Sequence, residues 1–164
     1  MHRQSVAVYD RFLSALSSIL SKAEAHCEAR KIKPEVILAA RLFPDMFPLT
    51  KQVQLACDFA CRGAARLAGQ EPKGFPDTET SFAELQERIA AARGYMASFP
   101  AEDYAKAADR AITIKVGGQD MTFAGADFLA FYSLPQFFFH VTTAYDILRH
   151  NGMAIGKRDY MGAY

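Results

Sequence analysis

The chain has 164 residues, 51% of them hydrophobic and 12% aromatic, and carries a net charge of +1 at pH 7. This size and composition are typical of one globular domain, here spanning residues 1–164, with its own core. Lysine and arginine are scattered singly and no apolar run reaches the roughly 18–20 residues of a membrane span, so neither nucleic acid nor a membrane is expected as a partner.

The three cysteines are Cys27, Cys57 and Cys61, an odd number without the spacing of a disulfide framework. Such cysteines are typical of a reducing compartment. The opening residues, MHRQSVAVYD, lack the continuous apolar segment of a signal peptide. We therefore expect a cytoplasmic location.

Apolar residues recur every three or four positions at the start of the chain and predict an amphipathic helix from about Ser5 to Arg30. The helix is expected to end at Lys33, because a proline disfavours helix at the residue before it. Pro34 can itself begin a short helix that ends near Arg41. Residues 42–50, LFPDMFPLT, contain two prolines and indicate a stiff linker.

A second long helix is predicted from near Pro48 to a stop at Gly69. Its apolar stripe has Val53 near the centre. At 100° per residue, Asp58 is expected to project away from this stripe and Gln52 to lie at its edge. Residues 70–80, QEPKGFPDTET, indicate a loop.

Ser81 and Glu84 have the spacing of a capping box, which predicts the start of a third helix that ends near Phe99. A short helical piece over residues 101–108 follows. Alternating apolar residues at 112–116 and 121–123, on either side of Gly-Gly-Gln-Asp at 117–120, predict a β-hairpin. A lone hairpin is marginal in water, so its apolar face should pack on the helices.

The last helix is predicted from Ala126 to about Asn151, with a kink or a brief break at Pro135. Its final turn, which contains His150, has the composition of a capped helix end. Four long helices and one hairpin indicate an all-α fold: a four-helix bundle with a small β-hairpin between the third and fourth long helices.

His140 is the main candidate for chemistry, because helical phase places it at the flank of the buried face among phenylalanines. It can be a core histidine that bonds a neighbour, or an imidazole that faces a ligand or a metal. Bundle metal sites often use pairs at i, i+3 or i, i+4, but Gln136, Thr143 and Ala144 occupy those positions. No metal site is therefore predicted, and His140 is the one plausible ligand if a metal binds.

Cys57 and Cys61 are also four residues apart, on the second helix. Such a pair can be redox-active or bind a soft metal. Free cysteine, however, is often a small buried hydrophobe. A nucleophilic thiol would need a nearby base or a lowered pKa, which the sequence does not place.

Several strings in the chain resemble an uncharacterised bacterial domain-of-unknown-function family within the DinB-like superfamily. They are PDMFPL (44–49), QVQ (52–54), ACD (56–58), FFFHVTTAY (137–145), LRHNG (148–152) and GKRD (156–159). The resemblance implies a DinB-like four-helix bundle, often dimeric through helix faces. Better-known members bind a divalent metal with one histidine on the second helix and two on the fourth, and some are metal-dependent thiol transferases. Here only His140 falls at a plausible fourth-helix ligand position, and the second helix supplies glutamine.

Three hypotheses follow. The first is a homodimeric DinB-like protein that has lost the metal triad, uses no cofactor, and binds a small molecule or partner in an aromatic-lined cavity near His140. Its candidate polar contacts are Gln52, Gln136 and Tyr145. The second is a metal-dependent transferase or hydrolase that holds zinc or nickel with an unusual ligand set. The third is a structural or interaction protein. The sequence does not decide whether the chain is an enzyme.

Overall fold

The computed structural model describes residues 1–163, which are mostly helical and contain one two-stranded antiparallel sheet. The α-helices are α1 (His2–Arg30), α2 (Pro34–Leu38), α3 (Leu49–Ala68), α4 (Phe82–Ala97), α5 (Gly125–Asp127), α6 (Leu134–His150) and α7 (Lys157–Met161). A 3-10 turn, Ala101–Tyr104, follows α4, and a π-helix, Phe128–Ser133, joins α5 to α6. Strands β1 (Ala111–Val116) and β2 (Gln119–Ala124) lie before α5. Within residues 1–163, none of the helices has the length and apolarity needed to cross a membrane.

The core lies between α1, α3, α4 and α6. Helix α3 packs against α4 and α6, and α1 packs against α3, α4 and α6. Each helix contributes fully buried side chains, among them Leu13, Leu49, Leu85 and Phe137. Burial of each such side chain contributes roughly 1.5–3 kcal/mol. The apolar stripes of the sequence therefore face the interior.

The helix ends follow the predicted capping signals. Ser81 Oγ accepts a hydrogen bond from the Glu84 amide at 3.2 Å, and the Glu84 carboxylate accepts one from the Ser81 amide at 3.0 Å. This is the predicted capping box. Gly69 ends α3 with a φ of 78°, a left-handed conformation that glycine adopts without a steric penalty.

The hairpin forms as predicted, but its turn is tighter. Gly117 and Gly118 have φ values of 58° and 85°, the signature of a two-residue type I′ turn. Gln119 therefore begins β2, paired with Val116, rather than extending the turn. Ile112 and Ile114 are each 5% exposed, so the apolar face of β1 packs on the helices as expected.

The region of Pro135 is continuous rather than broken. The π-helix Phe128–Ser133 runs directly into α6, whose second residue is Pro135. Because Pro135 has no amide hydrogen, the carbonyl one turn earlier cannot receive the usual bond. The wider π turn re-routes the backbone bonds of the preceding turn, so the helical path continues.

Asp58, predicted to project away from the apolar stripe of α3, is buried there by a second neighbouring helix. Asp58 is only 8% exposed, and its two carboxylate oxygens lie 2.6 Å from Arg88 Nη2 and 2.7 Å from Arg62 Nη2. Helix α4 brings Arg88 against this face of α3, and residues of the 70–80 loop also contact that arginine. Helix α3 therefore has a second buried face, on which ion pairs with Arg88 and Arg62 compensate the charge of Asp58.

Candidate binding site around His140

The structure brings His140 of α6 and Gln52 of α3 into direct contact. His140 Nδ1 lies 2.8 Å from Gln52 Oε1. His140 is 7% exposed and Gln52 is 1% exposed. The contact is possible because α3 and α6 pack side by side, with Gln52 in the first turn of α3.

The Gln52 amide is itself held in one orientation. Its Nε2 donates to the Phe47 carbonyl oxygen at 3.1 Å, so its Oε1 faces His140 as an acceptor. Nδ1 of the imidazole therefore donates, and the neutral form of the ring, which burial favours, has Nε2 as an acceptor. Within residues 1–163 no hydrogen bond reaches Nε2, and this atom is not sealed from solvent.

Aromatic rings surround the imidazole. The Phe59 ring stacks on it with a centroid distance of 5.4 Å and an interplanar angle of 13°. Phe139 meets it edge-on at 5.2 Å, and Tyr132 lies 6.3 Å from the Phe59 ring. Phe139 is 56% exposed, so this ring lies at the surface beside the buried imidazole.

The other two candidates are placed differently. Gln136 lies one helical turn before His140 and is half-buried. Tyr145 lies five residues after His140, about 140° around the helix. Its ring packs at 5.7 Å against Tyr160 of α7, on a different side of α6. The structure therefore unites His140 and Gln52, keeps Gln136 nearby, and does not bring Tyr145 to the site.

Two contributors to the site were missed by the sequence analysis. Phe59 lies seven residues after Gln52, two turns further along the same face of α3, so helical spacing could have found it. The Phe47 carbonyl is a backbone group in the segment before α3. Its direction depends on the local backbone conformation, for which the sequence has no residue-specific signal.

The donor set around His140 does not fit the divalent metal that the resemblance implies. In the part of the chain described, residues 1–163, no three histidine, cysteine, aspartate or glutamate side chains come together in a way that could hold a metal ion. The Nδ1 atom of His140 is engaged by an amide, and its other neighbours are aromatic rings. Zinc and nickel sites require several nitrogen, sulfur or carboxylate ligands.

Cys57 and Cys61 are both completely buried. Burial raises the pKa of the Cys61 thiol to about 12 and raises the pKa of the Cys57 thiol further. The thiolate is the reactive form of cysteine, so both side chains are protonated and inert at neutral pH. Their contribution is packing between α3 and its neighbours.

Burial lowers the pKa of His140 from 6.5 to about 4. The unfolded chain therefore takes up a proton between these two pH values that the folded chain does not, and acid destabilises the fold. We expect wild-type protein to lose about 2 kcal/mol more than His140→Gln when the pH falls from about 7 to about 4.5. Urea unfolding of both proteins at the two pH values measures this difference. Equal losses would contradict the buried neutral imidazole.

A family model described as domain of unknown function (DUF1993) matches residues 1–161 of the chain. Among solved structures, the chain is similar to a DinB family member protein from Shewanella denitrificans. The two are 42% identical, with a TM-score of 0.92, and the match covers 99% of this chain and 92% of that one. No curated protein matches. The predicted resemblance to a domain-of-unknown-function family of DinB-like proteins is confirmed.

Proposed function

The chain belongs to the DUF1993 family of domains of unknown function, and on this premise we propose that it is a DinB-like four-helix bundle that binds a small molecule beside His140 without a divalent metal. Helices α1, α3, α4 and α6 are the four members of the proposed bundle, and β1 and β2 are inserted between the third and fourth. The mutual packing of these helices supports the bundle. The three cysteines, all free, are compatible with the expected cytoplasmic location.

The hydrogen bond between His140 and Gln52 is the observation that carries the proposed binding function. A core histidine needs partners for its polar atoms, and the amide supplies one for Nδ1 only. The Nε2 lone pair is left for a ligand that donates an O–H or N–H group. Phe59 and Phe139 add aromatic faces, and each ring contact with an aromatic ligand contributes about 0.5–1.5 kcal/mol beyond its buried area.

The low pKa of His140, about 4, favours binding over acid–base catalysis. A general base works best when its pKa lies near the operating pH. At neutral pH this imidazole is a weak base and a poor proton donor. It is nevertheless a good hydrogen-bond acceptor, because its ring orientation and its tautomer are held by Gln52.

Phenol is a suitable probe, because it combines an O–H donor with an aromatic ring. We expect phenol to shift the Nε2 nitrogen resonance of His140 in a saturable manner, with a dissociation constant in the range of roughly 0.1–10 mM for so small a ligand. His140→Phe should abolish saturable binding. His150→Gln is the matched control on the same helix, since His150 is exposed at the end of α6, and it should bind phenol as wild type does.

The absence of saturation, or equal binding of phenol by the His140→Phe variant, would refute the site.

Metal analysis of untagged protein tests the second part of the proposal, that the protein binds no divalent metal. We expect zinc and nickel well below one ion per chain. One ion per chain that disappears in His140→Ala would instead support the metal-dependent transferase or hydrolase.

Exposed phenylalanines favour a second role, in which the chain also contacts a second copy of itself. Phe43, Phe47, Phe131 and Phe139 are between 53% and 76% exposed. Large exposed apolar side chains can mark contact surfaces, and a net charge of +1 opposes self-association only weakly. Light scattering on the same purified protein should give twice the 18.2 kDa of one chain, and a monomer would refute the homodimer.

A further inference from the structure

A second cleft lies between the C-terminal end of α3 and the start of β1, outside the His140 site. Its volume is about 620 Å³, within the range of small-molecule sites. Two arginines, Arg66 and Arg110, line it together with the loop that follows α3 and the first residues of β1. Both side chains carry a full positive charge at neutral pH.

Arg110 is fixed in place by neutral partners. Its guanidinium donates to the Leu67 carbonyl and, at 3.3 Å, to the Asp103 carbonyl. It also lies so close to Gly69 that a Cβ atom there would stand 2.8 Å from its Cζ. No carboxylate within residues 1–163 forms an ion pair with Arg110, and its hydrogen-bond partners are the carbonyl groups of Leu67 and Asp103.

Arg66 is half-buried and forms no hydrogen bond or ion pair with any residue of the described range 1–163. Burial, followed by the charge of Arg62 one turn earlier, lowers the pKa of Arg66. Arg62 itself is paired with Asp58 at 2.7 Å. A partly desolvated guanidinium that is not hydrogen-bonded to a counter-ion is unfavourable, and an anion bound directly to it would relieve that cost.

The remaining walls of the cleft offset the charge of the two arginines only in part, since the Glu71 charge favours the charged form of Arg66 and so acts to raise its pKa. Glu71 is the one acidic side chain among the lining residues described, and it is not ion-paired with either arginine. The cleft therefore has a net positive charge. Pro72 and the buried side chain of Ile112 supply an apolar wall.

We propose that this cleft binds the oxyanion group of a small molecule, a carboxylate or a phosphate, with Arg66 and Arg110 as its hydrogen-bond donors. The planar guanidinium matches both groups because it can donate two parallel N–H bonds. Arg110 is already held in position, so little side-chain entropy is lost when it binds. The inference does not rest on ligand binding at His140.

Sodium phosphate and sodium acetate, titrated at constant ionic strength into ¹⁵N-labelled protein, test the site. We expect saturable shifts of the backbone amides of Gly69, Gln70, Ala111 and Thr113. Arg66→Gln should weaken binding at least about tenfold, since it removes a charge-assisted hydrogen bond. Arg62→Gln is the matched control: it removes an arginine one turn away that does not line the cleft, and it should change affinity less than about twofold.

The relative affinities of phosphate and acetate identify the kind of anion that the cleft binds. Tighter binding of phosphate identifies a phosphate site, and tighter binding of acetate identifies a carboxylate site. Shifts that do not saturate with either anion, or equal affinities in wild type and Arg66→Gln, overturn the inference. Amide spectra confirm that each variant is folded. His140→Phe should leave anion affinity unchanged, so failure of the His140 site and failure of this cleft can be told apart.

Discussion

Replacement of Arg88 by methionine is expected to lower the free energy of unfolding by about 3–5 kcal/mol. The Arg88 side chain, only 2% exposed, lies 2.6 Å from Asp58 and 2.9 Å from Glu79. Each of these carboxylates is 10% exposed. Removal of the arginine leaves two nearly buried negative charges without their main counter-ion, and that desolvation cost is the reason for the large effect.

The same arginine also holds a loop. Its Nη1 donates to the Pro76 carbonyl at 2.9 Å, and its Nη2 lies 3.3 Å from Asp77. Arg62 still pairs with Asp58, and Gln54 still donates to Glu79, so the carboxylates keep some partners after the change. We therefore expect a folded but less stable variant, with the 70–80 loop less protected from amide hydrogen exchange.

Urea unfolding monitored by circular dichroism measures the loss. Arg93→Met is the matched control, because Arg93 also belongs to α4 and also pairs with an aspartate, Asp10, at 2.6 Å. These two side chains are 39% and 45% exposed, so loss of their ion pair should cost no more than about 1 kcal/mol. Similar losses in the two variants would show that burial of Arg88 is not what makes its ion pairs important.

Gly125→Ala is expected to lower the free energy of unfolding by about 3 kcal/mol or more. A Cβ atom at Gly125 would stand 1.8 Å from the backbone oxygen of Ala107. The next residue, Ala126, donates its amide to the Ala108 carbonyl at 2.9 Å. The two backbones are thus joined where the hairpin returns to the helices, and neither can move aside without loss of that bond.

Gly94→Ala is the control for this second prediction. Gly94 lies in α4 and is exposed, and a Cβ atom there would meet no side chain or neighbouring element within 4 Å. Alanine at this position should raise the free energy of unfolding by about 0.5–1 kcal/mol, because it restricts the unfolded chain and favours helix. The contrast in sign is measured in one thermal or urea series. Loss of stability in both variants would contradict the steric explanation for Gly125.

The helices were predictable because their signals are local. The three- to four-residue apolar period of α1 and α3, the capping box at Ser81 and the stop at Gly69 each involve residues close in sequence. Pro135 predicted a disturbance of the last helix but not its form. A proline shows that one backbone hydrogen bond of the helix is lost. Whether the helix then breaks or widens into a π turn depends on the packing around it.

The site was predictable only in part. Helical phase alone placed His140 at the flank of the core and Gln52 at the edge of its stripe, and both are buried. The same reasoning did not reveal that Asp58 is buried, because helical phase gives the direction of a side chain and not which neighbouring helices cover it. Helix α3 is covered by α4 as well as by α6, and the sequence of α3 does not reveal the arginine that α4 contributes.

The sequence by itself determined the long helices and the hairpin, the family that the chain resembles and the inward placement of His140, since these depend on residue types at short spacing. Only the tertiary structure decided that His140 meets Gln52, 88 positions away, that Phe59 stacks on the ring, and that Tyr145 faces elsewhere. Likewise, only packing placed Arg66 and Arg110 in one cleft. Side-chain pairing over such separations depends on how helices rotate and pack against one another, which the period of each helix does not specify.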